Sequence, residues 1–247
     1  MTSSWAFAPY DGIWFLGFNL HKDVFSEKSG RDVREAVAEA ISLTKISKIV
    51  GSAELPAGYI PAGLAGAMKS GPSANLAGAR ALLEKDGIRP SDPRLKKLSM
   101  LHTDGRETVL IARSIESDLK KLGITVTRVV IPFAQQERWR EELESGRHHM
   151  FLMGYKDEGG YDNFGAAPAS SEAKAYVPNP VAILRPLFGS RGEANFTFFR
   201  NAEFDALMEK ADEPGSLPAS REAILQQTNE ILVRERPAVV LFYIPRI

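Results

Sequence analysis

A chain of 247 residues, 44% of them apolar, can bury a full core as one large α/β unit or two small ones, and intrinsic disorder is excluded. Thirty-one Lys and Arg balance thirty-one Asp and Glu, so no net field favours nucleic acid, an anionic membrane or an acidic polymer. With no Cys, disulfides, Cys-based metal sites and a thiol nucleophile are excluded too, while the compartment stays open.

The opening MTSSWAFAPYDG lacks the basic, apolar and small-residue regions of an export signal, and residues 1–13 read as an irregular segment. Gly12 to Leu20, aromatic and branched without helical spacing, reads as a buried strand. In the following stretch Val33, Val37 and Ile41 recur every four residues with Ala36 and Ala40 beside them, which predicts an amphipathic helix and a second short one from Thr44. Gly51 to Ser73 is dense in Gly and Pro, yet Leu55, Tyr59, Ile60 and Leu64 anchor it, so an ordered loop is expected. Asn75 is placed to cap a helix bearing Ala79, Leu82 and Leu83, and Gly87 to end it in a left-handed conformation.

From Leu98 onward the pattern is regular. Strands are predicted at Leu98 to His102, Ile124 to Ile131 and His149 to Gly154. They are separated by helices at Glu107 to Leu122, with a stripe of Ile111, Ile115, Leu119 and Leu122 closed by Gly123, and at Gln135 to Ser145, with Trp139 and Leu143 inward. Three strands joined by two crossover helices imply a parallel βαβαβ unit. An irregular stretch beyond Tyr155, from Lys156 to Pro180, reads as a surface loop or flap. Helices at about Pro180 to Phe188, Ala202 to Ala211 and Ala219 to Glu235 follow, and Ala238 to Ile244 closes the chain as a buried strand, too short to span a bilayer.

The motif search excludes several chemistries. Gly66 and Gly71 have P-loop spacing, but Pro72 stands where the phosphate-binding Lys belongs. No G-x-G-x-x-G follows a strand and no G-x-S-x-G elbow occurs, and nothing in sequence pairs His21, His102, His148 or His149 with a nucleophile. His148, His149 and Met150 suggest a soft metal site, but alternation puts the two His on opposite faces and no carboxylate completes a shell, so a polar strand start is expected. Asp157, Glu158 and Asp162 crowd one loop without the D-x-D-x-D-G calcium pattern and read as solvated acids. The aromatics of NFTFFR and of the last strand either pack in the core or line a ligand surface. No catalytic residue, cofactor or metal is assigned.

Eight segments in order resemble the second lobe of the family 5 extracellular solute-binding proteins, the dipeptide, oligopeptide and nickel class that serves ABC transporters. They are LGFNL with Asn19; DVREAVAEAI, similar to the family's Arg-Val-Arg-Gln-Ala-Leu helix with Arg34 and Ala36 in place; PAGYIPAGLAG; ARALLEKDG; DLKKLGITV; ERWREELESGRHHMFLMGY; NPVAILRPLFGSRGEANFTFFRNAEFDALMEKA; and VVLFYIP. The resemblance implies a type II periplasmic-binding-protein-like lobe, α/β, with a central mainly parallel sheet flanked by helices and spanning residues 14–245. It also implies a missing first lobe joined through two hinge strands, closure of two lobes over a small solute or peptide, and delivery to ABC permease subunits. The implied location is periplasmic or extracellular, with a lipid anchor compatible; a hydrolase or a regulatory domain on the same lobe is the alternative.

In parallel α/β units, ligands sit beyond the carboxyl ends of the strands. That singles out Thr103 to Arg106, Pro132 to Gln135 and the loop from Tyr155. The family's Gly-Trp-x-x-Asp segment, whose Asp pairs a peptide's α-amino group, is GYKDE here: Tyr155 replaces Trp, Asp157 lies one position early, and the family's Asp-Pro is Asn179-Pro180. The expected ligand-binding residues are therefore Tyr155, Asp157, Asn179, Thr103 and Phe133.

Overall fold

The computed structural model describes residues 9–26, 30–71, 74–157, 178–213 and 217–246. The flap expected after Tyr155, with Glu158 and Asp162, lies outside the described residues.

Five strands form one sheet in the order β3-β2-β4-β1-β5: β1 Tyr10–Phe18, β2 Leu98–Thr103, β3 Val126–Ile131, β4 Met150–Lys156 and β5 Ala238–Pro245. β2 lies between β3 and β4, parallel to both, which is the predicted βαβαβ unit. β1 pairs antiparallel with β4 and with β5, so the sheet is mixed. β1 starts at Tyr10 inside the segment expected to be irregular, because Tyr10 pairs with Pro245 and Arg246 N–H donates to Pro9 O at 2.9 Å. The strands through which the chain joins and leaves the sheet are thus neighbours.

Helices cover both faces: α1 Arg31–Ala40, α2 Leu43–Val50, α3 Leu76–Lys85, α4 Arg106–Lys120, α5 Gln136–Glu144, α6 Pro180–Phe188, α7 Ala202–Ala211 and α8 Pro218–Glu235. The double covering explains why β1 is apolar without alternation. Phe15 meets Phe151 and Phe188 (centroids 6.0 Å in each case) on one face, and Phe18 meets Phe25 at 4.8 Å on the other. The Gly- and Pro-rich loop is ordered, as its anchors predict. It covers the β5 edge, where Tyr243 Oη accepts from Ala57 N–H at 3.0 Å and Tyr59 Oη donates to Ala238 O at 2.5 Å.

Local signals set the helix ends. Asn75 Oδ1 accepts from Gly78 N–H at 3.0 Å, capping α3. Gly87 and Gly123, at φ +67° and +78°, close α3 and α4 with the bonds Ile88 N–H to Leu83 O (2.8 Å) and Ile124 N–H to Leu119 O (3.2 Å). That six-residue closure needs a left-handed residue, which glycine adopts without strain.

The end of the sheet where β1 finishes and β4 and β5 begin is closed by polar networks. The buried Arg34 guanidinium donates to the carbonyls of Phe25 (2.6 Å), Ser26 (2.9 Å), Glu235 (2.7 Å) and Arg236 (3.0 Å), stitching α1 to the end of α8. A cation there also suits the negative pole of α8. Asn19 Nδ2 donates to Gly146 O (2.7 Å) and His148 O (2.9 Å). The matching Arg and Asn of the family motifs therefore hold the fold together at the closed end.

Candidate functional site

At the opposite end the carboxyl ends of the neighbouring strands β2 and β4 frame a cleft of about 210 Å³. Thr103, Gly105 and Thr108 line it from the β2–α4 turn, Phe133 from the turn after β3, Leu152 to Gly154 from β4 and Trp14 from β1. Each is placed by local structure. Trp14 opposes Gly154 across the β1–β4 pair, beside a register shift between Trp14 and Phe15 on the β5 side, and its ring stacks on Phe242 at 5.5 Å. A bulge re-aims a side chain at such a point. Phe133 is 39% exposed, but its backbone is clamped: Asp104 Oδ1 accepts from its N–H at 2.8 Å and Gln136 Nε2 donates to its carbonyl at 2.6 Å. An exposed aromatic ring is thereby held in place before a ligand arrives.

His102 sits just behind this wall, fully buried. Its Nδ1–H donates to Thr103 O at 2.7 Å, and Nε2 has no partner among the described residues. Burial pushes its pKa below the usual range, keeping the ring neutral. The other histidines of interest belong to the closed end: His148 Nε2 contacts Glu142 Oε2 at 2.8 Å and His149 Nδ1 contacts Ser99 Oγ at 2.9 Å. The described residues hold no cluster of His and acidic groups fit for a metal.

The five residues expected to bind ligand separate into two groups. Thr103 and Phe133 line the cleft. Tyr155 is buried on β4 opposite Ile13 and is not among the described lining residues. Asp157 and Asn179 come together, but in each other's service. The Asp157 carboxylate accepts from Asn179 N–H, while Asn179 Oδ1 caps α6 through Val181 N–H at 3.0 Å and accepts from Arg221 at 2.7 Å. Asn in place of Asp before Pro180 thus keeps the cap and the helix start that proline favours. Trp14, Thr108 and Leu152 to Gly154 were not identified from sequence, while Gly105 falls within the singled-out turn Thr103 to Arg106 without being named as a binding residue. Gly105 directly before a helical stripe was the available signal; Trp14 reaches the cleft only through long-range antiparallel pairing, which no local pattern encodes.

Among the described residues no helix is long and apolar enough to cross a membrane. The description of bacterial extracellular solute-binding proteins, family 5 (middle region), matches residues 2–176. No curated protein matches the chain by sequence. Solved structures do. The periplasmic binding protein DppA of Helicobacter pylori, in complex with the peptide STSA, superposes with a TM-score of 0.75 at 23% identity, covering 95% of this chain and 42% of that one. The murein tripeptide binding protein MppA of Escherichia coli gives 0.75 at 20% identity, over 96% and 43%. NikA of Staphylococcus aureus, in complex with Ni(L-His)2, gives 0.73 at 17% identity, over 94% and 45%. The chain spans less than half the length of these proteins, and they share its fold, an α/β lobe built on a mixed sheet. By the match over residues 2–176, the chain belongs to the family 5 bacterial extracellular solute-binding proteins.

Proposed function

We propose that this chain is the ligand-contacting lobe of an ABC-importer solute-binding protein, with the cleft at the ends of β2 and β4 as one wall of the site and a companion lobe as the other. One observation carries this reading: the cleft opens at the sheet end where β1 begins and β5 finishes side by side, with Tyr10 paired to Pro245. A module attached through those two strands closes over the cleft by hinge motion. At about 210 Å³ the cleft falls short of the 300–1,000 Å³ typical of a small-molecule site, as one wall of two should. The cargo proposed is a peptide-like solute, the partner an ABC permease, the place of action the periplasm or cell exterior.

On this reading a lone lobe leaves its ligand half wet and binds weakly. Titrating the chain with a mixture of tri- and tetrapeptides while following backbone amide NMR shifts tests it. Weak, saturable shifts concentrated at Thr103–Thr108, Phe133 and Leu152–Gly154 are expected; shifts centred on the closed end, or tight binding by the chain alone, would contradict it.

A further inference from the structure

The cleft holds hydrogen-bonding capacity that the fold itself does not use. Gly105 is the N-cap of the 15-residue α4 and has no side chain with which to accept from the first-turn N–H groups. Thr103 and Thr108 are 7% and 2% exposed, both line the cleft, and neither hydroxyl has a partner among the described residues. The two hydroxyls converge on Gly105: a methyl group placed there would sit 3.4 Å from Thr108 Oγ1 and 4.0 Å from Thr103 Oγ1. Buried hydroxyls left open toward a cleft, beside open helix donors, form a receptor for an oxygen atom.

Charge decides which oxygen. The turn carries two carboxylates, Asp104 and Glu107, against the single guanidinium of Arg106, so a ligand carboxylate would meet net repulsion that offsets the attraction of the helix terminus. The remaining lining is apolar, with Trp14, Phe133, Leu152 and Met153. We propose that this wall recognises an uncharged acyl or amide group bearing an apolar side chain. The side chain rests against Trp14 and Phe133, and the carbonyl oxygen accepts from the Thr103 and Thr108 hydroxyls and the first-turn N–H groups of α4. This rests on the solute-binding reading and deepens it by naming the group recognised.

Three phenylalanine derivatives of different charge test the assignment on the chain, by amide NMR titration: N-acetyl-L-phenylalaninamide (neutral), N-acetyl-L-phenylalanine (carboxylate) and L-phenylalaninamide (amine, without the acetyl group). The variant Gly105→Ala places a methyl group in the oxygen's position; at φ −52° with contacts no closer than 3.4 Å it folds without strain. The neutral probe should bind tightest. Gly105→Ala and, separately, Thr103→Val should each weaken it about three- to tenfold, one hydrogen bond's worth, whereas Phe133→Ala should weaken all three probes alike. Tighter binding of the carboxylate or the amine overturns the proposal. So does an unchanged affinity in Gly105→Ala and Thr103→Val while Phe133→Ala still weakens binding, a result that leaves the solute-binding reading standing. No saturable shift with any probe also overturns it, and the peptide titration then judges the broader reading independently.

Discussion

The two ends of the sheet treat polar groups in opposite ways. At the closed end Arg34, Asn19, His148 and His149 each find a partner, and the networks tie α1, α8 and the start of β4 together. At the cleft end two buried threonine hydroxyls and a helix terminus stay open among the described residues. Satisfied buried groups stabilise; open ones cost free energy that a ligand returns on binding. On the proposed function, the difference separates where the molecule is held together from where it would meet a ligand.

Substitutions at the closed end should therefore be costly and those at the cleft nearly free. The largest effect is expected for Arg34→Met, which strands four carbonyls at once: a loss of about 3–5 kcal/mol in urea unfolding, where less than about 1 kcal/mol would break the contrast. Asn19→Ala should follow at about 2–3 kcal/mol, since two carbonyls lose their donor and the His21 N–H loses its acceptor.

Asp118, on α4, comes next and adds a pH signature. Burial pushes its pKa up, but hydrogen bonds from Lys121 (2.6 Å), Lys45 (2.7 Å) and the Ser42 N–H (3.0 Å) outweigh burial and hold it below the usual carboxylate range. Its contribution is then complete above about pH 4, the unfolded value, and lost as pH falls through the lower folded one. Asp118→Asn should cost about 1–2 kcal/mol at pH 7, with the gap to the unaltered protein closing in acid. A gap independent of pH would refute the charge-based account.

Smaller still, Asp157→Ala should cost about 0.5–1 kcal/mol through the Asn179 N–H and leave peptide affinity unchanged. A large affinity loss would restore Asp157 as an amine anchor. Least of all, Thr103→Val should change stability by no more than about 0.5 kcal/mol, or raise it, because an open buried hydroxyl is exchanged for a methyl group. A loss near that of Asn19→Ala would show that Thr103 serves the fold.

The helices and strands were legible wherever a short-range rule governs them. The stripe from Ile111 to Leu122, the Asn75 cap and the glycines Gly87 and Gly123 set boundaries that the structure keeps within about two residues. The parallel unit was legible because crossover helices admit little else, and the choice of the carboxyl end followed from it, which is how Thr103 and Phe133 were picked out before the structure placed them in the cleft. The antiparallel addition of β1 and β5 depends on pairing across more than 100 residues, so Trp14 was hidden as a cleft residue and Tyr10 as a strand residue. The pairing of the Asp157 carboxylate with the Asn179 N–H at the start of α6 was not legible, because a loop carboxylate carries no mark of the helix terminus it will meet.

The central claim is that ligand meets this chain at the open end of its sheet. Photo-crosslinking with a tripeptide bearing a benzophenone side chain, followed by mass mapping of the labelled fragments, tests it most directly. Labels on Trp14, Phe133 and Leu152–Gly154 that fade with excess unlabelled peptide are predicted; labels gathered around Asn19 and His148 at the other end, or spread evenly over the surface, would contradict it.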